Sequence, residues 1–406
     1  MKNILNFFKS DALIKDSAIL LVGTFSIHLL NLIFQIVMGR CLIDQEYALL
    51  ITLLSIFSIL SLPLAVIGTT ISRYTSLLVD QRRYGDIKYL IYIWSIRMFF
   101  IGLILSLSCF IFADKISFFL NINRNEPIYI FSLIILGIFC RPVFDGALNG
   151  LQNFKGWCFS SVLGWSVRLI LASFLVLYVS PYANWGLLGH GIGFYIAITV
   201  GIIILFNKLK NYKLSSYSLP NINYFMFASF FILFGFSCLM MGDMILIKQI
   251  FPAYASDYSY ASTLGHIIIF IPQAFVMSMF PKVVSDKDLT QNHKKLFLKT
   301  FSITAIITII SALIFSLYVD VLLKIIFNIN HPSIAQINWS VLLAWAMVPV
   351  ALLNVTVRFS LAQKYLYSLM IIPLSAIIFF IFSYQICDSI DDILKLLISI
   401  SSWTLF

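Results

Sequence analysis

The chain is a succession of apolar runs about twenty residues long, separated by short polar or charged turns. Few folds accommodate that pattern. At about 1.5 Å rise per residue, a helical run of that length spans a hydrocarbon core of roughly 30 Å. Of the 406 residues, 61% are hydrophobic and 11% are charged, whereas soluble domains carry about 25% charged residues. No polar stretch approaches the roughly 50 residues of a soluble catalytic domain. The pattern predicts an all-α polytopic membrane protein with twelve spans: 17–38, 48–70, 90–112, 127–148, 158–179, 185–206, 223–246, 261–281, 298–319, 337–357, 366–386 and 391–406. The first run is longer than the apolar core of a signal peptide and lacks a small-residue cleavage pattern, so it is read as a mature helix.

Lys and Arg fall on alternate sides of these spans. One side carries Lys2, Lys9 and Lys15, then Arg73, Arg82, Arg83 and Lys88, and so on through Lys208 to Lys213 and Lys282 to Lys299. The other side carries Arg40, Lys115, Arg124, Lys248, Lys324 and Lys395. The bias is about three to one, which places the N-terminus in the cytoplasm. The net charge of +10 is therefore a topology signal, and no nucleic-acid partner is expected. The six cysteines form no CxxC pair and give neither a disulfide framework nor a zinc site. Motifs for nucleotide, metalloprotease and nucleophile-elbow chemistry are missing, and an enzyme is disfavoured.

The chain also repeats itself. FADKISFFLNIN at 112–123 resembles YVDVLLKIIFNIN at 318–330, and Pro63 with Arg73 matches Pro272 with Lys282. Gln152 with Phe154 matches Gln363 with Tyr365. These matches keep their order at nearly one offset, so two parallel six-helix lobes are expected. The first lobe covers 1–210, a cytoplasmic linker 211–222, and the second lobe 223–406.

Polar groups inside the spans are the candidates for function. Thr24, His28, Asn31 and Gln35 are spaced four, three and four apart and share one helix face. Lipid cannot satisfy that stripe, so it lines a cavity or bonds neighbouring helices. Arg141 and Asp145 stand four apart and can pair. Arg168 lies about ten residues inside its span and is read as an anion-binding point, with a structural ion pair to Asp145 or hydrogen bonds to helix ends as the alternative. Arg97 lies nearer the cytoplasmic interface and can reach it by snorkelling. Asp243 and the outer-edge Lys248 follow on span 7. Span 8 carries Ser262, His266 and Gln273 on one face. His266 is read as a neutral hydrogen-bonded ring, or alternatively a protonation site. His190 is read as interfacial.

Three stretches resemble one family. They are GRCLIDQEYALLITLLSIFSILSLPLAVIGTTISRY (39–74), GALNGLQNFKGW (146–157) and GDMILIKQIFPAYASDYSYASTLGHIIIFIPQAFVMSMFPKVVS (242–285). In order and position they are similar to the polysaccharide-biosynthesis, or O-antigen, flippases of the multidrug/oligosaccharidyl-lipid/polysaccharide exporter superfamily. The resemblance departs after Lys248, where the family's glycine is replaced by Gln249-Ile250.

The resemblance implies a V-shaped, two-lobed transporter in a bacterial inner membrane. It would flip an undecaprenyl-pyrophosphate-linked oligosaccharide to the outer leaflet by alternating access, without a cofactor. Arg168, Arg141, Asn31, Gln35 and His28 would meet the pyrophosphate and sugars. Arg40, Asp243 and Lys248 would lie at the outer mouth, and Asp145 or His266 would couple the cycle to H+ or Na+. Expected partners are the lipid-linked substrate, membrane lipids and polysaccharide polymerase or assembly proteins. The alternatives are an ion-coupled drug or metabolite exporter of the same superfamily, a membrane polymerase or ligase, and a structural scaffold. A polymerase or ligase would need a large outer loop, which this chain lacks.

Overall fold

The computed structural model describes residues 12–215, 224–270, 272, 290–363 and 365–405. The chain is an all-helical, multi-pass membrane protein. Its helices are α1 (Ala12–Cys41), α2 (Asp44–Asp80), α3 (Tyr84–Ile111), α4 (Ala113–Phe119), α5 (Glu126–Gly150), α6 (Phe154–Tyr178), α7 (Ala183–Leu209), α8 (Tyr224–Ile250), α9 (Ala255–Gly265), α10 (Ile267–Phe270), α11 (Thr290–Phe327), α12 (Ile334–Gln363), α13 (Leu366–Leu369), α14 (Ile371–Gln385) and α15 (Ile390–Trp403). Among the described residues, nine helices are long and apolar enough to cross a membrane. Three expected spans differ from these. The span at 261–281 is broken at His266, and beyond Phe270 only Pro272 is described. The span at 366–386 is interrupted at Met370, which leaves α14 with 15 residues. The last, α15, has 14 residues and begins at the Ser389 cap. Gln273 and Lys282 lie outside the described residues.

Two compact units form. The first holds Met1–Cys41, Leu64–Ser117 and Arg124–Asn221; the second holds Leu42–Pro63, Phe118–Asn123 and Ile222–Phe406. The change within α2 falls at Pro63, which lies inside the helix. The first half of α2 is stitched into the second unit by side chains. Tyr47 Oη bonds Thr263 Oγ1 at 2.7 Å, Tyr260 donates to Asp44 at 2.6 Å, and the Tyr47 and Tyr260 rings stack at 5.0 Å. Ser237 donates to the carbonyl of Ile59 at 3.2 Å.

The sequence repeat reappears in the backbone. α3 stops at Phe112 (φ −93, ψ 21) before the short α4, and α11 is kinked at Tyr318 (φ −123, ψ 15) before its last turns. Asn121 and Asn328 follow those segments with φ of 52° and 61°. Asn tolerates this left-handed geometry, which closes a helix end. Pro142 and Pro349 lie inside α5 and α12.

In the first unit, α6 and α7 approach most closely. Gly189, Gly193 and Ala197 recur every four residues on α7, as do Gly164, Arg168 and Ala172 on α6. A Cβ at Gly193 would lie 2.7 Å from the Arg168 backbone nitrogen, and one at Gly189 2.6 Å from Ala172 Cα. Small residues at this spacing let membrane helices meet backbone to backbone. The start of the linker is docked on the same unit. Tyr212 stacks on Tyr84 at 4.6 Å, and Ser215 donates to Asp86, which also pairs with Arg83.

The contact predicts opposite outcomes for one substitution at two glycines of α7. A Cβ at Gly201 meets nothing closer than 3.7 Å, so Gly201→Ala gains helix propensity of up to about 1 kcal/mol. Gly193→Ala forces α6 and α7 apart at a cost of about 1–3 kcal/mol. Thermal melting in detergent should place Gly201→Ala at or above wild type and Gly193→Ala below it. Equal melting points would refute the close contact.

Candidate functional site

In the first unit, Arg168 is 3% exposed. Gly193 leaves no space between its backbone and α7, so the side chain is directed toward α1. Nη1 donates to Asn31 Oδ1 at 3.1 Å. The guanidinium carbon lies 3.7 Å from the centroid of the Phe34 ring and 4.6 Å from that of Trp165. Trp165 precedes Arg168 by three residues and so shares its helix face. Nε is buried without a hydrogen-bond partner. Among the described residues, no carboxylate stands within ion-pair distance of Arg168.

Arg141 is held differently. Its Nε pairs with Asp145 Oδ2 at 3.1 Å, Nη2 donates to Ser161 Oγ at 3.1 Å, and its guanidinium lies 4.8 Å from the Phe194 ring centroid. Asp145 is thus engaged by Arg141, and the expected alternative of an Arg168–Asp145 pair is not formed.

His190, read as interfacial from sequence, is 3% exposed. Its ring lies 6.5 Å from Trp165 and 6.2 Å from Phe194, within electrostatic reach of both arginines. One connected cluster therefore runs from Arg168 through Trp165, His190 and Phe194 to Arg141. The physical reason lies in Gly189 and Gly193, which flank His190 and draw that part of α7 against α6. The small-residue spacing around His190 is the sequence signal that locates it inside the bundle.

Of the α1 stripe, Asn31 meets Arg168 directly, while Thr24, His28 and Gln35 are half-buried. Phe34, fully buried, faces the same arginine and carries no polar signal. Arg40 ends α1, exposed, in the first unit.

The second unit holds a cluster of opposite character. Asp243 is 0% exposed. Its Oδ2 accepts from Tyr258 at 2.6 Å and Ser262 at 3.3 Å, and its Oδ1 lies 3.4 Å from His266 Nε2. His266 Nδ1 lies 2.6 Å from the Ser262 carbonyl, and Nε2 lies 2.7 Å from that of Met240. Both ring nitrogens face acceptors, so the doubly protonated imidazole is the form that donates to both. Lys248 is buried on the same helix, and Glu46 is the carboxylate that acts on it electrostatically. Among the described residues, no group of three or more His, Cys, Asp or Glu could hold a metal.

A charge at mid-bilayer costs roughly 2.5–3.5 kcal/mol on insertion scales, and a desolvated cation–π contact returns about 2 kcal/mol. Two rings and one amide bond can therefore offset the insertion of Arg168. They leave its positive charge uncompensated. The Asp243–His266 pair is neutral overall.

No protein-family model matches the chain, and no curated protein sequence matches it. Solved structures do. The fold is similar to that of lipid II flippase MurJ in an inward closed conformation, with a TM-score of 0.69 and 15% identity, over 95% of this chain and 86% of that one. It is also similar to an inward-facing multidrug resistance MATE family transporter of the MOP superfamily, with a TM-score of 0.68 and 12% identity, over 96% and 95% of the two chains. The Vibrio cholerae MATE transporter VcmN, solved as a mutant, aligns with a TM-score of 0.63 and 15% identity over 97% and 93%. At such identities the likeness is one of fold.

The rings predict a measurable coupling. Trp165→Leu should destabilise the protein by about 1–2 kcal/mol, and by less when Arg168 is already Leu. A double-mutant cycle on thermal or denaturant unfolding should give a coupling near 1 kcal/mol. Strict additivity would show that Trp165 acts only through its volume.

Proposed function

We propose that this chain is a transporter that flips an undecaprenyl-pyrophosphate-linked oligosaccharide from the cytoplasmic to the outer leaflet by alternating access. Arg168 carries the reading, as a buried guanidinium held by aromatic rings and an amide, with its charge still open to an anion. A diphosphate is the costly part of a lipid-linked sugar to move through a bilayer. Guanidinium pairs bidentately with phosphate oxygens. Asn31, His28 and Gln35 offer neutral polar groups from α1 for sugar hydroxyls, and Arg141 supplies a second, partly neutralised cation. The lipid tail needs no pathway, because it can remain in the membrane.

The fold is shared with a lipid II flippase and with a multidrug resistance transporter, so an ion-coupled drug exporter is the second reading. Asp243 is the observation that favours it, as a buried carboxylate. Against it stands Asp145, whose charge is taken by Arg141 rather than left for a cationic cargo. The Asp243–His266 pair fits a coupling role in either reading. A carboxylate already facing an imidazole exchanges protons more readily than it admits Na+, so the coupling ion is H+ in this account.

Deletion of the gene in its native cell should trap the completed lipid-linked oligosaccharide on the cytoplasmic face. The wild-type chain should restore export, and Arg168→Ala should reach the membrane yet fail to restore it. Arg168→Lys should restore it only in part, since a compact ammonium lacks the bidentate fork. Full export by Arg168→Ala would sink the anion-site reading. A deletion that accumulates no lipid-linked sugar but sensitises the cell to cationic drugs would establish the exporter. In proteoliposomes a pH step, and not a Na+ gradient, should drive transport, and His266→Gln should remove that dependence.

A further inference from the structure

We propose that Arg97 holds the phosphate of an anionic phospholipid on the lipid-facing side of α3. The helix meets its unit along one narrow seam, where Leu90, Trp94, Met98, Gly102 and Ser106 are buried, one residue in every four. Arg97 lies off that seam and is exposed. Phe100, Ile101 and Ile104 follow it on the same flank, 57%, 43% and 62% exposed. Among the described residues, no carboxylate lies within ion-pair distance of Arg97. Its guanidinium stands 5.8 Å from the Trp94 ring centroid.

Depth decides what can reach it. The exposed apolar surface of α3 continues to Phe110, Ile111 and Phe112. Counting back about 30 Å of hydrocarbon from there puts its other edge near Tyr92. Tyr92 is exposed and suits the interfacial aromatic belt. The Arg97 backbone thus starts about 7 Å inside that edge. Side chains on a helix lean toward its N-terminus, here the end that carries Arg82, Arg83 and Lys88. The Trp94 contact, one turn back, shows Arg97 doing so. Its guanidinium therefore reaches the headgroup phosphates of the leaflet on that side.

Two observations select a lipid over a second protein. Helix partners in membranes use small residues to approach, whereas this flank is Phe100, Ile101 and Ile104, with Gly102 turned into the seam. The single charge on it matches one anionic headgroup, which guanidinium can grip bidentately.

The test uses the purified full-length chain and Arg97→Leu, each supplied with phosphatidylglycerol or phosphatidylcholine and weighed by native mass spectrometry. The wild type should retain one more phosphatidylglycerol than Arg97→Leu, at about 0.5 M salt as at 0.1 M, because a bidentate pair held at the edge of the hydrocarbon is screened less than a fully solvated charge. Phosphatidylcholine retention should be equal in the two chains. Arg82→Gln and Arg83→Gln should lose only lipid that high salt also removes. Equal phosphatidylglycerol retention by wild type and Arg97→Leu would overturn the site. Loss of a dimer, rather than of a lipid, in Arg97→Leu would overturn it too and assign the flank to a protein partner.

Discussion

The Arg168 guanidinium stands against two aromatic rings and one amide oxygen in the interior of a membrane-spanning bundle. The packing of α1, α6 and α7 in the first unit serves that placement. Gly164 and Gly193 bring α6 and α7 into backbone contact, which leaves the side chain only the space toward α1. There Asn31 meets Nη1 and Phe34 meets the face of the guanidinium. Trp165, one turn earlier on α6, closes another side. These contacts lower the cost of burying the arginine without cancelling its charge. The proposed function rests on that difference, because a carboxylate partner would have satisfied the group and left nothing for an anion to bind.

Arg141 shows the contrast within the same unit. Asp145 and Ser161 engage it, so its charge is largely spent locally. His190 and its neighbouring rings join the two arginines into one cluster. The second unit uses an opposite device, a buried carboxylate facing an imidazole. In the proposed cycle the first cluster binds anionic cargo and the second exchanges a proton. Those tasks need different electrostatics, while Asn121 and Asn328, at matching points of the sequence repeat, share one left-handed backbone conformation.

Much of the fold was legible in the sequence, because lipid admits only internally satisfied helices and the apolar runs therefore declare themselves. The matching Asn-Ile-Asn segments were legible too, and Asn121 and Asn328 within them share a left-handed backbone. The extent of the final spans was less so, since helix breaks at His266 and Met370 leave hydropathy unchanged. Arg168 and Asn31 could be named, as polar residues in apolar runs, but not their pairing. That depends on which helices touch. Phe34 and Trp165 were invisible for a different reason: an aromatic residue in a membrane span carries no signal that it faces a cation. The burial of His190 between Trp165 and Phe194 is carried by the glycines around it, a spacing signal separate from its place near the end of its span.

The central claim is that Arg168 binds a diphosphate, and direct binding tests it without a cell or a gradient. Purified wild-type protein and Arg168→Met would be titrated with undecaprenyl diphosphate in neutral detergent, with undecaprenol as the uncharged control. The account predicts saturable binding of the diphosphate by the wild type, at least about tenfold weaker in Arg168→Met, and no preference between the two proteins for undecaprenol. Equal diphosphate affinity in the two proteins would contradict it and leave Arg168 as a structural residue.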